Sequence, residues 1–410
     1  MCCCLTIPVS RMNLFARAAF RPLTSIIVAP IACHHQLPSR LFQSHRKTYF
    51  FKSFSNFNSP SVSYLHNMKA FVTAEGGTAT VQDIPKPTPS EGEILVRVHY
   101  AAQNPTDWKA VPNRPPGRIV GCDFAGTVAD PNGSSWREGQ RVAGFVHGTR
   151  DEPKRGAYAE YAVIEASLVW AIPDSVSFQD AATINLAYAT AAQALFQRLG
   201  LPEPSKPAKS AFPVLINGGS SSVGQYAVQL AKLAGLFVIA TGSKQSHDLL
   251  TSLGADAVID YKDKAWPEQV RSLSHDGLQH AFDCISEVDT MRAVAQAMSP
   301  TKGGHILCIL PRKKDELPSD LTKVKVESTI VYTVFELPLK LDDFENCGEA
   351  TPQDRKFWEK HLSMLPEYVE SGKIKPNPVK ELGGLEAISE GFELQQQGKV
   401  RAEKLVYKIV

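Results

Sequence analysis

The sequence predicts an α/β protein with a small β-rich part followed by a doubly wound parallel sheet. Two observations carry this prediction. Short strand patterns separated by glycine turns fill residues 69–161, which is typical of a small β-barrel-like domain. From Val214 onward strand and helix patterns alternate, which is typical of parallel strands joined by crossover helices.

Length and composition are those of an ordinary globular protein. The chain has 410 residues, enough for two domains, with 43% hydrophobic and 21% charged residues. A formal net charge of +2 gives no indication of a nucleic-acid partner. The apolar run 26–31 is too short to span a bilayer, and no later run is a candidate, so no membrane partner is expected.

Residues 1–67 differ from the rest and are predicted to be a disordered extension. They contain seven Arg or Lys residues and no Asp or Glu, so the remainder is mildly acidic. This composition is typical of a mitochondrial transit peptide. The alternative is that translation starts at Met68, which begins the first strand pattern. The first interpretation predicts a mitochondrial protein, and the second a cytoplasmic one.

The β-rich part begins at Met68. The predicted elements are an opening hairpin over 69–75 and 78–84, a strand over 93–100, a loop over 101–109, a strand pair over 118–128, a turn and strand over 139–145, and a segment entering a strand over 156–161. An alanine-rich stretch from Phe178 to Leu199 then predicts a helix. Eight cysteines lack metal-ligand spacing, which suits a reducing compartment.

The turn between Asn217 and Gln225 is the most informative motif. A short apolar strand, 214–217, precedes it and an amphipathic helix, 223–234, follows it. Helix N-termini bind anions, and glycines allow a pyrophosphate to approach the backbone. The turn therefore predicts a dinucleotide site, even though serine replaces the middle glycine. Its residues are Gly218, Gly219, Ser220, Ser221, Ser222, Val223 and Gly224.

The end of the next strand indicates which dinucleotide binds. NAD sites usually place Asp or Glu there to hold the ribose 2′-hydroxyl. Here Thr241 is followed by Gly242, Ser243 and Lys244, without a carboxylate. Ser243 and Lys244 suit a 2′-phosphate, so the sequence predicts NADPH.

Further elements continue the alternation. Strands are predicted over 236–241, 256–260, 279–285, 304–310 and 325–333, helices over 244–253, 265–274, 287–298 and 353–371, and a last strand over 404–409.

Four motifs, together with the nucleotide turn, resemble the medium-chain dehydrogenase/reductase superfamily from Met68 to Val410. They are Asn104-Pro-x-Asp107, Gly121-x-Asp-Phe-Ala-Gly-x-Val128, Gly139-x-x-Val142 and Gly156-x-x-Ala-Glu160. The resemblance implies a GroES-like β-barrel domain interrupted by a Rossmann domain. The implied bounds are 68–180 for the GroES-like catalytic domain, 181–336 for the NADP-binding domain and 337–410 for a return to the catalytic domain.

Departures from the zinc alcohol dehydrogenases place the chain in the zincless branch. Where those enzymes have Gly-His-Glu, this sequence has Gly121-Cys122-Asp123, and the four-cysteine lobe is missing. Three or four converging ligands are needed for zinc. His99, His147 and Cys122 are therefore interpreted as ordinary residues, and no metal is predicted.

Within that branch, the sequence Asn104-Pro-Thr-Asp-Trp-Lys109 resembles the fungal trans-acting enoyl reductases of polyketide biosynthesis. This implies hydride transfer from NADPH to an α,β-unsaturated thioester, on a small molecule or a carrier protein, with a polyketide synthase as a possible partner and a monomeric enzyme. Two alternatives stay open: reduction of quinones or small enones, and a non-catalytic NADPH-binding adaptor.

The resemblance also implies site residues beyond the turn. The predicted catalytic residues are Lys109 and Tyr158. The further cofactor residues are Thr106, Asp107, Trp108, Lys109, Ser243, Lys244, Gln245, Ser246, Tyr261, Cys308, Ile309, Val400 and Arg401. The predicted substrate residues are Asn185, Leu186, Ala187, Tyr188, Ala189, Thr190, Ala191, Ala192, Thr329, Ile330, Val331, Tyr332 and Thr333.

Overall fold

A computed structural model describes residues 67–150, 154–311, 323–336 and 350–410. The prediction for the extension lies outside these residues, except for its last position. The strands are β1 (Asn67–Ala74), β2 (Thr78–Pro85), β3 (Glu93–Ala102), β4 (Asp123–Asp130), β5 (Arg141–Phe145), β6 (Tyr161–Glu165), β7 (Val169–Ala171), β8 (Pro213–Asn217), β9 (Phe237–Gly242), β10 (Ala257–Asp260), β11 (His280–Asp283), β12 (Gly304–Cys308), β13 (Val324–Ser328), β14 (Val379–Gly383) and β15 (Lys404–Lys408).

The α-helices alternate with the later strands and cover the parallel sheet. They are α1 (Pro105–Ala110), α2 (Phe178–Ala182), α3 (Asn185–Ala192), α4 (Ser222–Leu233), α5 (His247–Ser252), α6 (Trp266–Leu273), α7 (Val288–Ala297), α8 (Pro352–Glu370) and α9 (Ile388–Gln396). No described helix is long and apolar enough to cross a membrane.

The first sheet has the order β14-β15-β3-β4-β5-β7, with β6 also paired to β3, and the hairpin β1–β2 lies beside it. Strand β15 from the end of the chain pairs antiparallel with β3. The tail therefore returns to the sheet in which the chain began. The barrel elements and the parallel sheet belong to one compact unit, residues 63–410.

The second sheet has six parallel strands in the order β10-β9-β8-β11-β12-β13. The predicted α/β fold with a doubly wound sheet is confirmed. Strand order reverses at β8, where the chain first runs outward to β9 and β10 and then returns to β11. Crevices at the carboxyl ends of strands beside such a reversal are the usual ligand sites of open sheets. Strand β8 is buried, as its apolar run predicts.

One local prediction is wrong. The stretch predicted as a loop contains helix α1, because Asp107 at the third helical position accepts a hydrogen bond from the Asn104 N–H (2.8 Å) and Pro105 fits the first turn.

The stretch from Phe178 to Leu199 is helical, as predicted, and is divided into α2, α3 and a π-helical turn, Gln193–Arg198. This turn lets Gln193 donate to Thr333 (2.8 Å) and accept from Thr329 (2.5 Å).

Other differences concern element ends. The strand pair predicted over 118–128 is the single strand β4, preceded by an isolated bridge between Val72 and Ile119. The sixth parallel strand ends at Ser328 and is followed by a 3₁₀ turn, Val331–Phe335, which carries several side chains into the site described next.

Candidate active site

A cavity of about 800 Å³ lies between the barrel and the parallel sheet, within the usual size range of small-molecule sites. The barrel contributes Asn104, Pro105, Thr106, Lys109, Arg114, His147 and Arg150 to its wall. The remaining wall residues are Leu186, Thr190, Ser221, Ser222, Val223, Cys284, Ile285, Glu287, Ile309, Leu310, Pro311, Thr329, Ile330, Val331 and Tyr332.

The nucleotide turn forms one edge of this cavity. Ser221, which replaces the middle glycine, is the N-cap of α4, and its side chain accepts from the Gly224 N–H (3.0 Å). Gly218 has φ of +74°, which favours glycine. A Cβ on Gly224 would lie 2.3 Å from the Gly218 carbonyl oxygen, so the turn can close this tightly only with glycine there. The substitution at Ser221 thus preserves the turn and adds a cap.

The start of α4 fits a pyrophosphate. Ser222 and Val223 lie in the first helical turn, where N–H groups have no carbonyl partner within the helix. The Ser222 hydroxyl donates to Asn377 Oδ1 (2.6 Å), which holds the turn against the C-terminal segment.

Ser243 and Tyr261 follow neighbouring strand ends. In the pairing of β9 with β10, Gly242 lies opposite Asp260, so the residues after each strand leave the same edge of the sheet. Lys244 is exposed, and 52% of Tyr261 is exposed. No described carboxylate occurs from Thr241 through Ser246. These residues lie beyond the cavity wall, on the side where the adenosine of a dinucleotide bound at α4 would extend.

A hydroxyl pair faces the cavity opposite the nucleotide turn. The Tyr332 hydroxyl donates to Thr106 Oγ1 (3.1 Å) and lies 3.4 Å from Cys122 Sγ. The Tyr332 ring stacks on His147 at 3.9 Å between centroids. Since Thr106 accepts from Tyr332, its own hydroxyl hydrogen is available to another acceptor. The pair therefore presents a hydrogen-bond donor to the cavity.

His147 is uncharged at neutral pH. Burial, together with the positive charges of Arg150 and Arg114, lowers its pKa to about 3. The following backbone is fixed tightly: a Cβ on Gly148 would lie 2.3 Å from the Gly121 carbonyl oxygen, and Thr149 has φ of +63°. The Thr149 N–H donates to the Ile119 carbonyl at 2.8 Å. This segment holds the ring of His147 against Tyr332.

Tyr158 lies behind the site rather than in it. The side chain is fully buried, and its hydroxyl donates to Asp107 Oδ2 (2.8 Å). Burial and the Asp107 charge raise the Tyr158 pKa well above its ordinary value. Tyr158 is outside the cavity wall, and its hydroxyl hydrogen is donated to Asp107, so this geometry does not support the predicted proton-donating role. Burial raises the pKa of Asp107 itself from 3.8 to about 6.

The positions that correspond to zinc ligands have other contacts. Asp123 accepts from Lys404 Nζ (2.8 Å) and from the Leu186 N–H (2.8 Å), and both ionic side chains are almost completely buried. Lys404 also donates to Asn104 Oδ1 (2.9 Å). Burial raises the pKa of the Cys122 thiol well above its ordinary value, so this thiol stays protonated.

The structure brings about a third of the predicted residues to the cavity wall. Of the predicted residues, those in the wall are Thr106, Lys109, Leu186, Thr190, Ser221, Ser222, Val223, Ile309, Thr329, Ile330, Val331 and Tyr332. Lys109 is exposed, and its ammonium lies 5.5 Å from the Trp108 ring centroid.

Several of the predicted residues lie outside the cavity wall, for identifiable reasons. Asp107 is buried as the helical cap, Trp108 lies outside the wall, and Cys308 is packed in the core at the end of β12. Asn185 accepts from Trp170 Nε1 (2.8 Å), and Thr333 accepts from Gln193. Also outside the wall are Ala187, Tyr188, Ala189, Ala191 and Ala192, which are buried, and Val400 and Arg401.

Several wall residues were not predicted from the sequence. His147 was interpreted as an ordinary residue, and Arg114, Arg150, Cys284 and Ile285 were not assigned to the site. The sequence did carry a signal for two of them, because Cys284 and Ile285 are the last residues of the fourth predicted parallel strand, and ligand crevices occur at such strand ends. Arg114 and Arg150 lie in loops without a motif.

Comparison with known proteins identifies the family. The alcohol dehydrogenase GroES-like domain matches residues 90–174, and the zinc-binding dehydrogenase family matches residues 222–340. The trans-enoyl reductase ACTTS2 of Alternaria alternata is 37% identical over 357 residues, 83% of this chain and 98% of that protein. The chain belongs to the medium-chain dehydrogenase/reductase superfamily.

This medium-chain dehydrogenase/reductase has relatives with other names as well. A zinc-type alcohol dehydrogenase-like protein of Schizosaccharomyces pombe is 36% identical over 354 residues, 83% of this chain and 100% of that protein. The CurK enoyl reductase structure matches with a TM-score of 0.66 at 20% identity, over 84% of this chain and 100% of that chain, which shows the shared fold. The predicted superfamily and the predicted resemblance to trans-enoyl reductases are confirmed. The protein is an oxidoreductase of a superfamily that uses nicotinamide cofactors.

Proposed function

We propose that this oxidoreductase is an NADPH-dependent enoyl reductase that reduces an α,β-unsaturated acyl thioester without zinc. One observation carries the proposal. A single cavity combines the nucleotide turn, the Thr106–Tyr332 hydroxyl pair and an apolar wall that includes Leu186, Ile309 and Val331. Relatives that are named trans-enoyl reductases support the same reaction.

The residues around the cavity supply electrostatics and shape. When bound, NADPH would supply a hydride to the β-carbon of the thioester, the electrons of the double bond would move toward the thioester oxygen, and a proton from solvent would complete the reduction at the α-carbon. Thr106 donates its hydroxyl hydrogen to that oxygen, while Tyr332 holds the Thr106 oxygen in place. The apolar side chains of Leu186, Ile309 and Val331 exclude water around the acyl chain.

The choice of NADPH rests on the strand end after β9. Ser243 and the exposed Lys244 can donate to a 2′-phosphate, and residues 241–246 contain no carboxylate that could accept from a 2′-hydroxyl. The turn at Ser221 to Gly224 fits the pyrophosphate of the same molecule.

The proposal that zinc plays no part rests on how the corresponding side chains are engaged. Asp123 is neutralised by Lys404, and the Cys122 thiol is protonated and in contact with Tyr332. In the described ranges, three or more His, Cys, Asp or Glu side chains do not converge anywhere. We further propose that the substrate is carrier-bound, with a polyketide synthase as the source of the acyl chain.

Turnover of a crotonyl thioester with NADPH tests this function, with a quinone as the competing substrate and zinc content measured on the same preparation. Enoyl thioester reduction that exceeds quinone reduction and survives chelation is expected. Faster quinone reduction, or turnover that a chelator abolishes, would overturn the proposal.

A further inference from the structure

We propose that Lys109 and Arg114 bind the phosphate of a 4′-phosphopantetheine arm, so that the acyl thioester is held at both of its ends. This assignment rests on the proposed function, because phosphopantetheine is the arm on which coenzyme A and carrier proteins present thioesters. It adds a phosphate site to the cavity and explains charges that the hydride step does not require.

Both side chains are cations without an ionic partner. The Arg114 guanidinium makes no hydrogen bond or ion pair within the part of the chain that the structure describes, although it lines the cavity. The Lys109 ammonium is likewise without a carboxylate there, and its recorded contact is the Trp108 ring. Two unpaired cations on one wall are a suitable receptor for a phosphate.

Arg150 lies on the same side of the cavity as Arg114. Both line the wall, and the charge of each lowers the pKa of His147. Glu287 also lines the wall, at the start of helix α7 on the side of the parallel sheet.

The two cations lie on the segment that carries the proposed hydroxyl donor. Thr106 and Lys109 belong to α1, and a 3₁₀ turn, Val111–Asn113, leads directly to Arg114. Arg114 is half-buried, while Asn113 and Pro115 beside it are exposed, which places Arg114 at the rim of the cavity.

This segment is fixed by its proline content and by a cross-link to the barrel. The Pro115 carbonyl accepts from Thr73 Oγ1 (2.8 Å), and Thr73 Oγ1 in turn accepts from the Arg118 N–H (2.9 Å). The cross-link holds the chain directly after Arg114, and helix α1 holds Thr106, so the backbone at both positions has a defined place in the barrel.

The phosphates of the cofactor do not require these cations. Its pyrophosphate is assigned to the first turn of α4, and its 2′-phosphate to Ser243 and Lys244, all on the parallel-sheet part of the chain. Arg114 lies on the barrel part, where the acyl substrate enters in the proposed reaction.

Steady-state kinetics with two substrates that differ by one phosphate test the site: crotonyl-pantetheine and crotonyl-4′-phosphopantetheine, each with saturating NADPH. We expect the phosphorylated substrate to have a KM about tenfold lower. Arg114→Gln should remove that difference, Arg114→Lys should restore part of it, and the exposed Arg137→Gln should leave it unchanged. Equal KM values for the two substrates, or a difference that persists in Arg114→Gln, would overturn the site. Failure to reduce either substrate would instead reject the proposed function.

Two further measurements define the ligand. An increased Kd for NADPH in Arg114→Gln would assign Arg114 to the cofactor and overturn the proposal. Crotonyl-CoA and a crotonyl-loaded carrier protein distinguish the two sources of the arm. If Arg114→Gln raises the KM for only one of these two substrates, that substrate is the source of the arm. If it raises the KM for both, the site recognises the arm that the two substrates share. Insensitivity with both contradicts the assignment.

Discussion

At the scale of single residues, the end of strand β9 decides which nicotinamide cofactor fits. A ribose 2′-hydroxyl requires an acceptor, whereas a 2′-phosphate requires donors. Ser243 and Lys244 supply donors, and the pairing of Gly242 with Asp260 brings Tyr261 alongside. At this edge of the sheet NADPH therefore gains charge-assisted hydrogen bonds that NADH cannot make, and such bonds are about twice as strong as neutral ones.

We expect NADPH to bind about ten- to a hundredfold tighter than NADH, since each charge-assisted bond contributes about 1.5–3 kcal/mol and about 1.4 kcal/mol is a factor of ten. Lys244→Ala should weaken NADPH binding and leave NADH binding nearly unchanged, while Ser243→Asp should narrow or invert the preference. Fluorescence titration with both cofactors measures this. Equal affinity of the unaltered protein for both would show that the phosphate site is elsewhere.

A second residue-scale prediction concerns Thr106. Thr106→Val keeps the volume and removes the hydroxyl, so kcat for thioester reduction should fall about tenfold to a hundredfold with a smaller change in KM. Thr106→Ser should retain most of the activity. The Kd for NADPH, measured in each variant, controls for altered cofactor binding. A kcat in Thr106→Val equal to that of the unaltered protein would remove the hydroxyl from the mechanism.

Local patterns explain which site residues could be predicted from the sequence. The nucleotide turn is contiguous, so its glycines and helix start were visible in one stretch, and Ser221 to Val223 do line the cavity. Cys308 also lies at a strand end beside the cavity, as predicted. The side of the sheet that its side chain faces depends on packing, which the sequence does not show. Cys308 points into the core, and Ile309 faces the cavity.

At the scale of elements, the sequence before helix α1 contains a helix-start pattern that was not recognised as one. Asn104-Pro105-x-Asp107 has an N-cap residue, a proline at the first position and an acidic residue at the third, which together predict a helix start. The Asp107 hydrogen bond to the Asn104 N–H confirms that reading. The Asn104 side chain instead donates to Asp123 (2.9 Å), a contact that no local pattern predicts.

The buried pair Lys404–Asp123 connects strand β15 to β4 and, through Leu186, to helix α3. Lys404→Met leaves the Asp123 charge buried without its partner, so the free energy of unfolding should fall by about 3–5 kcal/mol. Chemical denaturation measures this loss. Since Asn104 and Leu186 line the cavity and contact the same pair, kcat should fall as well.

Two controls separate the ion pair from general damage to the strand. Lys408→Met removes an exposed lysine from the same strand and should change the free energy of unfolding by less than about 0.5 kcal/mol. The double variant Lys404→Met with Asp123→Asn should be more stable than Lys404→Met alone, because the uncompensated charge is gone. A Lys404→Met protein as stable as the Lys408→Met protein would mean that the pair contributes nothing.

At the scale of the whole molecule, the order of strand and helix patterns was enough to predict the fold. Alternation after Val214 specifies crossover connections, and these have few arrangements in a parallel sheet. The cavity was harder, because its wall joins Thr106 to Tyr332 across 226 positions of sequence. Contacts between residues so far apart in sequence form when the barrel packs against the sheet. The same packing brings Arg114 and His147 to the cavity wall, and no sequence motif marks either residue.

Stability of the whole molecule should depend on pH through buried histidines. His361 is fully buried between Phe196 and Phe357, and burial lowers its pKa from 6.5 to about 4. The unfolded chain binds a proton near pH 6.5 and the folded chain does not, so folding stability is present above that pH and is lost as the pH falls toward 4. From pH 7 to pH 5, His361 should reduce the free energy of unfolding by about 2 kcal/mol.

Urea denaturation of the unaltered protein and of His361→Gln at pH 7 and pH 5 tests this, because glutamine removes the titration. The decrease in the free energy of unfolding between the two pH values should be about 2 kcal/mol smaller in His361→Gln.

Asp107, whose pKa burial raises to about 6, changes the free energy of unfolding in the opposite direction, since its stabilisation is lost as the pH rises through 6. That contribution is present in both proteins and cancels in the comparison. His275→Asn, at an exposed left-handed position that asparagine tolerates, should keep the full decrease. If His361→Gln loses as much stability at pH 5 as the unaltered protein, His361 is not the group whose protonation destabilises the fold.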